Sequence, residues 1–258
     1  MDARGYLPSV DDNLRQPLSP PALRAFNIGS GSELKDTRHR PAKMKALHSS
    51  AALAVNVFDY WTTRNTGPLV ASLGLQALID SIAFEAQFST NLDGNPPNLD
   101  LAIELSTGIT VVIESKFSEW LTPKSRKREC FKPKYFPQSQ ALWEPKGLPA
   151  CQSLAVDIHQ GSERFRYLDA PQLLKHALGL ATQLSDRFSL YYLYFDWPSS
   201  AADLHRTEMD HFANRVGEEL RFRTLTYQEL FHRLLASPVS LDAEYVDYLR
   251  ARYFPQAA

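Results

Sequence analysis

The chain has 258 residues, 44% hydrophobic and 22% charged, with a formal net charge of −1. That length suits one sizeable α/β domain, or two small ones, with the single domain as the expectation; no run of about 18 apolar residues offers a membrane span. The near-neutral charge excludes the wholesale attraction to nucleic acid that an alkaline domain shows, and two cysteines, Cys130 and Cys151, build neither a disulfide framework nor a zinc pattern, which makes a reduced cytoplasm the expected location.

Residues 1–40 hold Pro8, Pro17, Pro20 and Pro21 with little periodicity, which predicts a partly ordered arm with one short helical turn over residues 21–26. No apolar stretch follows its first charges, so a secretory signal is not expected. Charge is unevenly placed: Arg38, His39, Arg40, Lys43 and Lys45 form one basic stretch. From Ser49 the spacing of Leu53, Val57, Tyr60 and Trp61 predicts a helix, with Ser49 or Ser50 as N-cap. His48 stands just before it. Either His48 packs at the boundary, or His48 and Ser49 meet a nucleic-acid phosphate at the helix N-terminus, where free N–H groups favour anions. A second helix is expected over residues 69–78. Ile82, Phe84, Ala86 and Phe88 then alternate with Glu85 and Gln87, which predicts a strand, and residues 91–97 are turn formers.

Residues 96–117, P-P-N-L-D-L-A-I-E-L-S-T-G-I-T-V-V-I-E-S-K-F, read as two strands joined at Ser106, Thr107 and Gly108. Gly108 takes the positive φ such a loop demands, which pairs Leu105 with Ile109. Counting back sets Asp100 opposite Glu114, with Cβ atoms roughly 4.5–5.5 Å apart. Opposed carboxylates destabilise a ladder unless a cation bridges them or one takes up a proton. A period of two returns Lys116 to the same face. Hard oxygen ligands in small number suit Mg²⁺ or Mn²⁺, which lowers the pKa of a bound water and offsets charge on a phosphate. Lys116 could orient or deprotonate that water, or donate to the phosphorus centre; the residues alone do not choose. Glu104 lies too near the turn to join.

Residues 118–167 are rich in proline and lack a sustained period. They carry a second basic stretch, Lys124, Arg126, Lys127, Arg128, Lys132 and Lys134, interleaved with Phe131, Tyr135, Phe136 and Trp143. That mixture suits gripping a nucleic-acid backbone while stacking on bases, or else a solvated surface excursion. Asp169 and Pro171 open the next helix, with an apolar stripe of Leu174, Ala177, Leu178, Ala181 and Leu184 and a polar side of Gln172, Lys175, His176 and Gly179. Residues 188–195 are almost wholly apolar, as a central strand beside the Glu114 strand would be. A helix over residues 207–220, a short strand over 222–225, a capping box from Thr226 to Glu229 and a last helix over 241–254 complete the pattern. His205, His211 and His232 have no partners at metal spacing, and neither a phosphate-cradling loop nor a G-x-S-x-G elbow occurs.

Asp100 followed by Glu114-Ser115-Lys116 across a strand-turn-strand resembles the PD-(D/E)xK nuclease superfamily. Residues 47–56 and the helix opening at Gln172 are similar to its restriction-endonuclease-like branch, over roughly residues 40 to 235. Asn98 and Leu99 separate Pro97 from Asp100, so the Pro-Asp dipeptide itself is missing. The resemblance implies an α/β, three-layer-like sandwich with a mixed central β-sheet flanked by helices, forming one domain over residues 41–258 with an insertion at about 118–167. It implies a metal-dependent DNA endonuclease serving restriction or defence, with Asp100, Glu114, the Ser115 carbonyl and Glu85 as metal ligands and Lys116 assisting the attacking water. By the same resemblance Gln172 and Lys175 point toward water or phosphate. DNA is the expected partner, and cutting both strands together would require a homodimer or two events. The alternatives are a catalytically silent nucleic-acid-binding or interaction module derived from a nuclease, and an unrelated α/β protein with surface carboxylates on its hairpin.

Overall fold

A computed structural model describes residues 1–29, 31–124, 131–138 and 140–255. Along the chain run α1 (Pro20–Ile28), α2 (Ser50–Phe58), α3 (Gly67–Leu73), β1 (Ile79–Gln87), β2 (Asn98–Leu105), β3 (Thr110–Lys116), α4 (Pro149–Gln160) and α5 (Ala170–Leu184). They are followed by β4 (Phe188–Tyr194), α6 (Ser200–Leu220), β5 (Arg223–Thr226), α7 (Tyr227–Leu235) and α8 (Ala243–Tyr253). The strands form one sheet in sequence order, β1-β2-β3-β4-β5. The first three are antiparallel, and β4 and β5 continue parallel to β3. The sheet is therefore mixed.

Gly108 fixes the register of β2 on β3. At φ +77 its N–H reaches the Leu105 carbonyl at 2.8 Å, and Leu105 N–H in turn bonds Ile109 O at 2.9 Å. Glu104 pairs with Thr110 and Leu101 with Ile113, so one further step sets Asp100 across from Glu114. On the other side of β2, Phe84 pairs with Leu101 and Ala86 with Leu99, which brings Glu85 level with Asp100. Three acids thus fall in one line across three strands. Glu85 has φ +49, a left-handed conformation unusual for a side chain with a Cβ, and it breaks the alternation expected of β1. Phe84 packs into one layer of the core, whereas Ala86 packs into the other.

Each face of the sheet is covered. On one side Leu53 and Val57 of α2, Leu69 of α3, Leu230 of α7 and Leu249 of α8 pack on Ile103, Val111, Ile113 and Leu193. On the other, Leu154 of α4, Leu174 of α5 and Phe212 of α6 pack on Ala102, Val112, Leu190 and Tyr192. Parallel neighbours need long crossovers, and α4 with α5, then α6, supply them on that second face. Covering from both sides explains why β4 reads as a continuous apolar run. No helix among the described residues is long and apolar enough to cross a membrane.

Several expectations change. The helix expected over residues 69–78 stops at Leu73, because Gly74 adopts φ +66 and turns the chain toward β1. The helix expected from residue 207 begins at Ser200. The stretch from 118 to 167 contains α4, whose Cys151, Leu154, Ala155 and Ile158 are buried at helical spacing, with Pro149 opening it and Gly161 closing it at φ +79. Phe131, Tyr135 and Trp143 are buried beneath it, so these rings are core and not platforms for bases. Carboxylates of α6 hold the stretch down: Glu219 accepts from Ala150 N and Cys151 N at 2.6 and 2.9 Å, and Glu208 from Arg166, Tyr167 and Leu168 N at 2.7–2.8 Å. The arm also packs: buried Asn13 donates to the carbonyls of Met44 and Ala46, and Phe26 of α1 meets Phe84 with ring centroids 5.7 Å apart.

The side of α5 that reads as polar faces inward where it carries His176 and Gly179. A Cβ at Gly179 would sit 2.4 Å from the Phe88 carbonyl oxygen, a backbone atom that cannot swing aside. Gly179→Ala gains about 1 kcal/mol of helix propensity, yet forcing α5 off the sheet costs about 1–3 kcal/mol, more because the obstacle is backbone. We expect a net loss of stability in chemical denaturation; an unchanged or raised midpoint would refute the close approach.

Candidate active site

The open end of the hairpin is where the acids gather. Beyond the Leu101–Ile113 pair, the Asp100 carboxylate accepts the N–H of Ser115 at 2.7 Å, so a side chain continues the contact between β2 and β3. Alternation along β3 sends Ser115 to the α7 side, where its hydroxyl bonds that of buried Tyr227 at 2.7 Å. Glu114 and Lys116 face α5. The Lys116 ammonium donates to Glu114 Oε1 and lies 3.4 Å from Gln172 Oε1. One helical turn after Gln172, His176 places Nε2 3.1 Å from Glu114 Oε2, with both side chains buried.

These neighbours set the charges. Burial pushes the Glu114 carboxyl up, but the Lys116 ammonium and His176 beside it bring it down to about 2. Burial and then the Glu114 charge hold the Asp100 carboxyl well above the usual carboxylate range, against Lys116 and the Ser115 N–H. Burial works against the Lys116 ammonium, yet Glu114 and Asp100 keep it more firmly protonated than an ordinary lysine. Two carboxylates thus share one ammonium, and Asp100 is the one that resists ionising.

The remaining candidates divide. Glu85 accepts from Asn98 Nδ2 at 2.7 Å; burial, opposed by that bond and reinforced by the Glu33 charge, raises its carboxyl. It feels Glu114, but among the described residues no three His, Cys, Asp or Glu side chains come together as a ligand set. Lys124 pairs with Asp169 at 3.4 Å, at the start of the helix that carries Gln172. Lys175 lies over the rings of Phe131 and Tyr135, 5.4 and 5.9 Å from their centroids. His48 is exposed at the start of α2, while the Ser49 hydroxyl is buried and accepts Ala52 N–H as N-cap. Arg126, Lys127 and Arg128 lie outside the described residues. In the first basic stretch Lys43 pairs with Glu33 at 2.7 Å and Lys45 with Asp36 at 2.8 Å, leaving Arg38, His39 and Arg40 exposed on a turn closed by Thr37 N–H to Arg40 O. His205 is a packing residue, stacked on Trp120 and bonded to the Tyr192 hydroxyl at 3.0 Å. Glu104 bonds Ser81 away from the acids.

Sequence reasoning missed His176 and Tyr227 as members of the cluster. Helical spacing from Gln172 carried the signal for His176. Nothing local marked Tyr227, which arrives from the far side of the sheet.

Asp100 and Glu114, with the Ser115 main chain between them, are a hard-oxygen donor set with uncompensated negative charge. That suits a small divalent cation which keeps several of its own waters. A mixed five-stranded sheet between two helical layers, with Asp, Glu and Lys at the open end of its hairpin, defines a restriction-endonuclease-like fold. The chain belongs to the family described as Restriction Endonuclease associating with ARP, whose model matches residues 22–254. No curated protein and no solved structure matches it.

The two acids contribute to stability with opposite signs. Glu114, lowered in the fold, stabilises above its unfolded value of about 4.3, a contribution lost as pH falls toward about 2. Asp100, raised in the fold, destabilises once pH exceeds its unfolded value of about 3.9. In metal-free buffer at pH 7, Asp100→Asn should raise the melting temperature and Glu114→Gln lower it, each effect being about 1–3 kcal/mol, or roughly 2–4 °C per kcal/mol. The gap should narrow as pH falls below about 4 and close toward about 2. Asp100→Asn melting below wild type would contradict this charge assignment.

Proposed function

We propose that the chain is a metal-dependent DNA endonuclease that hydrolyses phosphodiester bonds, with Asp100, Glu114 and the Ser115 carbonyl holding Mg²⁺ or Mn²⁺. The observation that carries this reading is the pairing of the opposed acids with Lys116, whose ammonium sits between Glu114 and Gln172. A bound divalent ion supplies an acidified water and offsets charge on the phosphate. The protein's own groups do the rest. Glu114 and Gln172 aim the Lys116 ammonium, which the Glu114 and Asp100 charges hold protonated and so able to donate, orienting water or meeting the phosphate. Glu85 contributes negative charge beside the pair, with its carboxylate turned to Asn98.

Contact with DNA is proposed at Lys124, Lys175 and His48, and through Arg126, Lys127 and Arg128; the Ser49 hydroxyl, buried as the N-cap of α2, does not take part. Such phosphate contacts need only local patches, so the net charge of −1 is no obstacle. From the family we propose a role in restriction or defence against foreign DNA, and since its description adds association with ARP, we assign the chain the cutting role in an assembly with that partner. The same description also favours a second reading, an interaction module that no longer cuts; the complete Asp100, Glu114 and Lys116 set argues for turnover.

The test is supercoiled plasmid with Mg²⁺. Wild type should nick it, and Lys116→Ala, Asp100→Asn and Glu114→Gln should each be slower by about 10²-fold or more. Equal nicking by all four proteins would remove the site from the reaction.

A further inference from the structure

His176 stands where an apolar residue would be expected. Its neighbours on α5, Leu173, Leu174, Ala177 and Leu180, are all buried, and its own side chain has no exposure. Within that layer its close polar neighbour is Glu114, at 3.1 Å from Nε2 to Oε2. Neither atom completes an aligned hydrogen bond, and Nδ1 is also without one. A buried polar group normally finds a partner.

The helix is brought to this distance by design of its inward row. Gln172 reaches Lys116, His176 reaches Glu114, and Gly179, one turn further, lets the Phe88 carbonyl come so close that no Cβ would fit. Glu114 thereby meets a cation or ring at each oxygen, Oε1 bonded by the Lys116 ammonium and Oε2 facing the imidazole across 3.1 Å. The two oxygens differ in their freedom. Lys116 is a flexible side chain at the mouth of the cluster, 14% exposed, and can give way; the imidazole is locked in the core.

We infer that His176 is a positioning residue for Glu114, setting the orientation of the carboxylate that would hold the metal. The inference rests on the nuclease reading, since it concerns the carboxylate that reading assigns to the ion. A group that orients a ligating carboxylate typically changes metal affinity by about 10–100-fold when removed. A group that only fills space changes affinity no more than it changes stability.

The experiment measures Mn²⁺ binding to the full chain by electron paramagnetic resonance, without DNA, alongside thermal melts. His176→Leu fits the apolar layer and is expected to melt at or near the wild-type temperature while binding Mn²⁺ about 10–100-fold more weakly. His176→Gln keeps an N–H donor and should recover most of that loss. The inference is overturned if His176→Leu binds Mn²⁺ as wild type does, or if affinity in both variants merely follows the melting temperature. Wild type that binds Mn²⁺ with this dependence on His176 but never nicks DNA would sink the nuclease reading and leave the positioning role standing. Wild type that binds no Mn²⁺ would end both.

Discussion

Everything in this molecule that bears on chemistry depends on the repulsion between Asp100 and Glu114. The turn at Gly108 forces the two acids level with each other, and no relaxation of the ladder separates them without moving every side chain on the hairpin to its wrong face. The charge must therefore be answered locally. Lys116 answers half of it, and the Ser115 N–H holds Asp100 in place; the other half appears as the reluctance of Asp100 to ionise. Retaining such a charge inside a fold of otherwise ordinary composition is a pattern common at functional sites.

The hairpin could not hold this arrangement by itself, since two strands alone are marginal in water. Its stability comes from the layers on either side. One layer brings the Tyr227 hydroxyl to Ser115, and the other brings Gln172 and His176 to Lys116 and Glu114. The residues that carry charge lie within one hairpin, whereas those that position them arrive from helices 56 residues or more away, as the Lys116 to Gln172 separation shows.

That division also explains what was legible in the sequence. Hairpin register, the Ser49 and Asp169 caps, the capping box at Thr226 and the buried strand at residues 188–194 could each be read locally, because each is fixed by a few neighbouring residues. The Asp100, Glu114 and Lys116 set was legible for the same reason. Gly74 ended a helix that the apolar pattern would have continued, and α4 was hidden by the prolines around it although its own apolar spacing was regular. The aromatic residues from Phe131 to Trp143 looked like a binding surface because composition carries no direction; only the packing of α4 and α5 over them shows that they point inward. His176 looked like part of a solvated helix face, since a helical wheel shows which residues share a side but not which side meets the sheet.

The direction of α5 is the step that turns a charged hairpin into an organised site. With Gln172 near its start and Gly179 two turns on, the helix lies along β3 so that consecutive inward positions meet Lys116, Glu114 and the carbonyl of Phe88 in order. A bulkier residue at Gly179 would lift the helix where His176 faces Glu114. The absence of a side chain at Gly179 therefore bears on how closely His176 approaches the Glu114 carboxylate, so that close packing at a position without charge reaches the charged cluster.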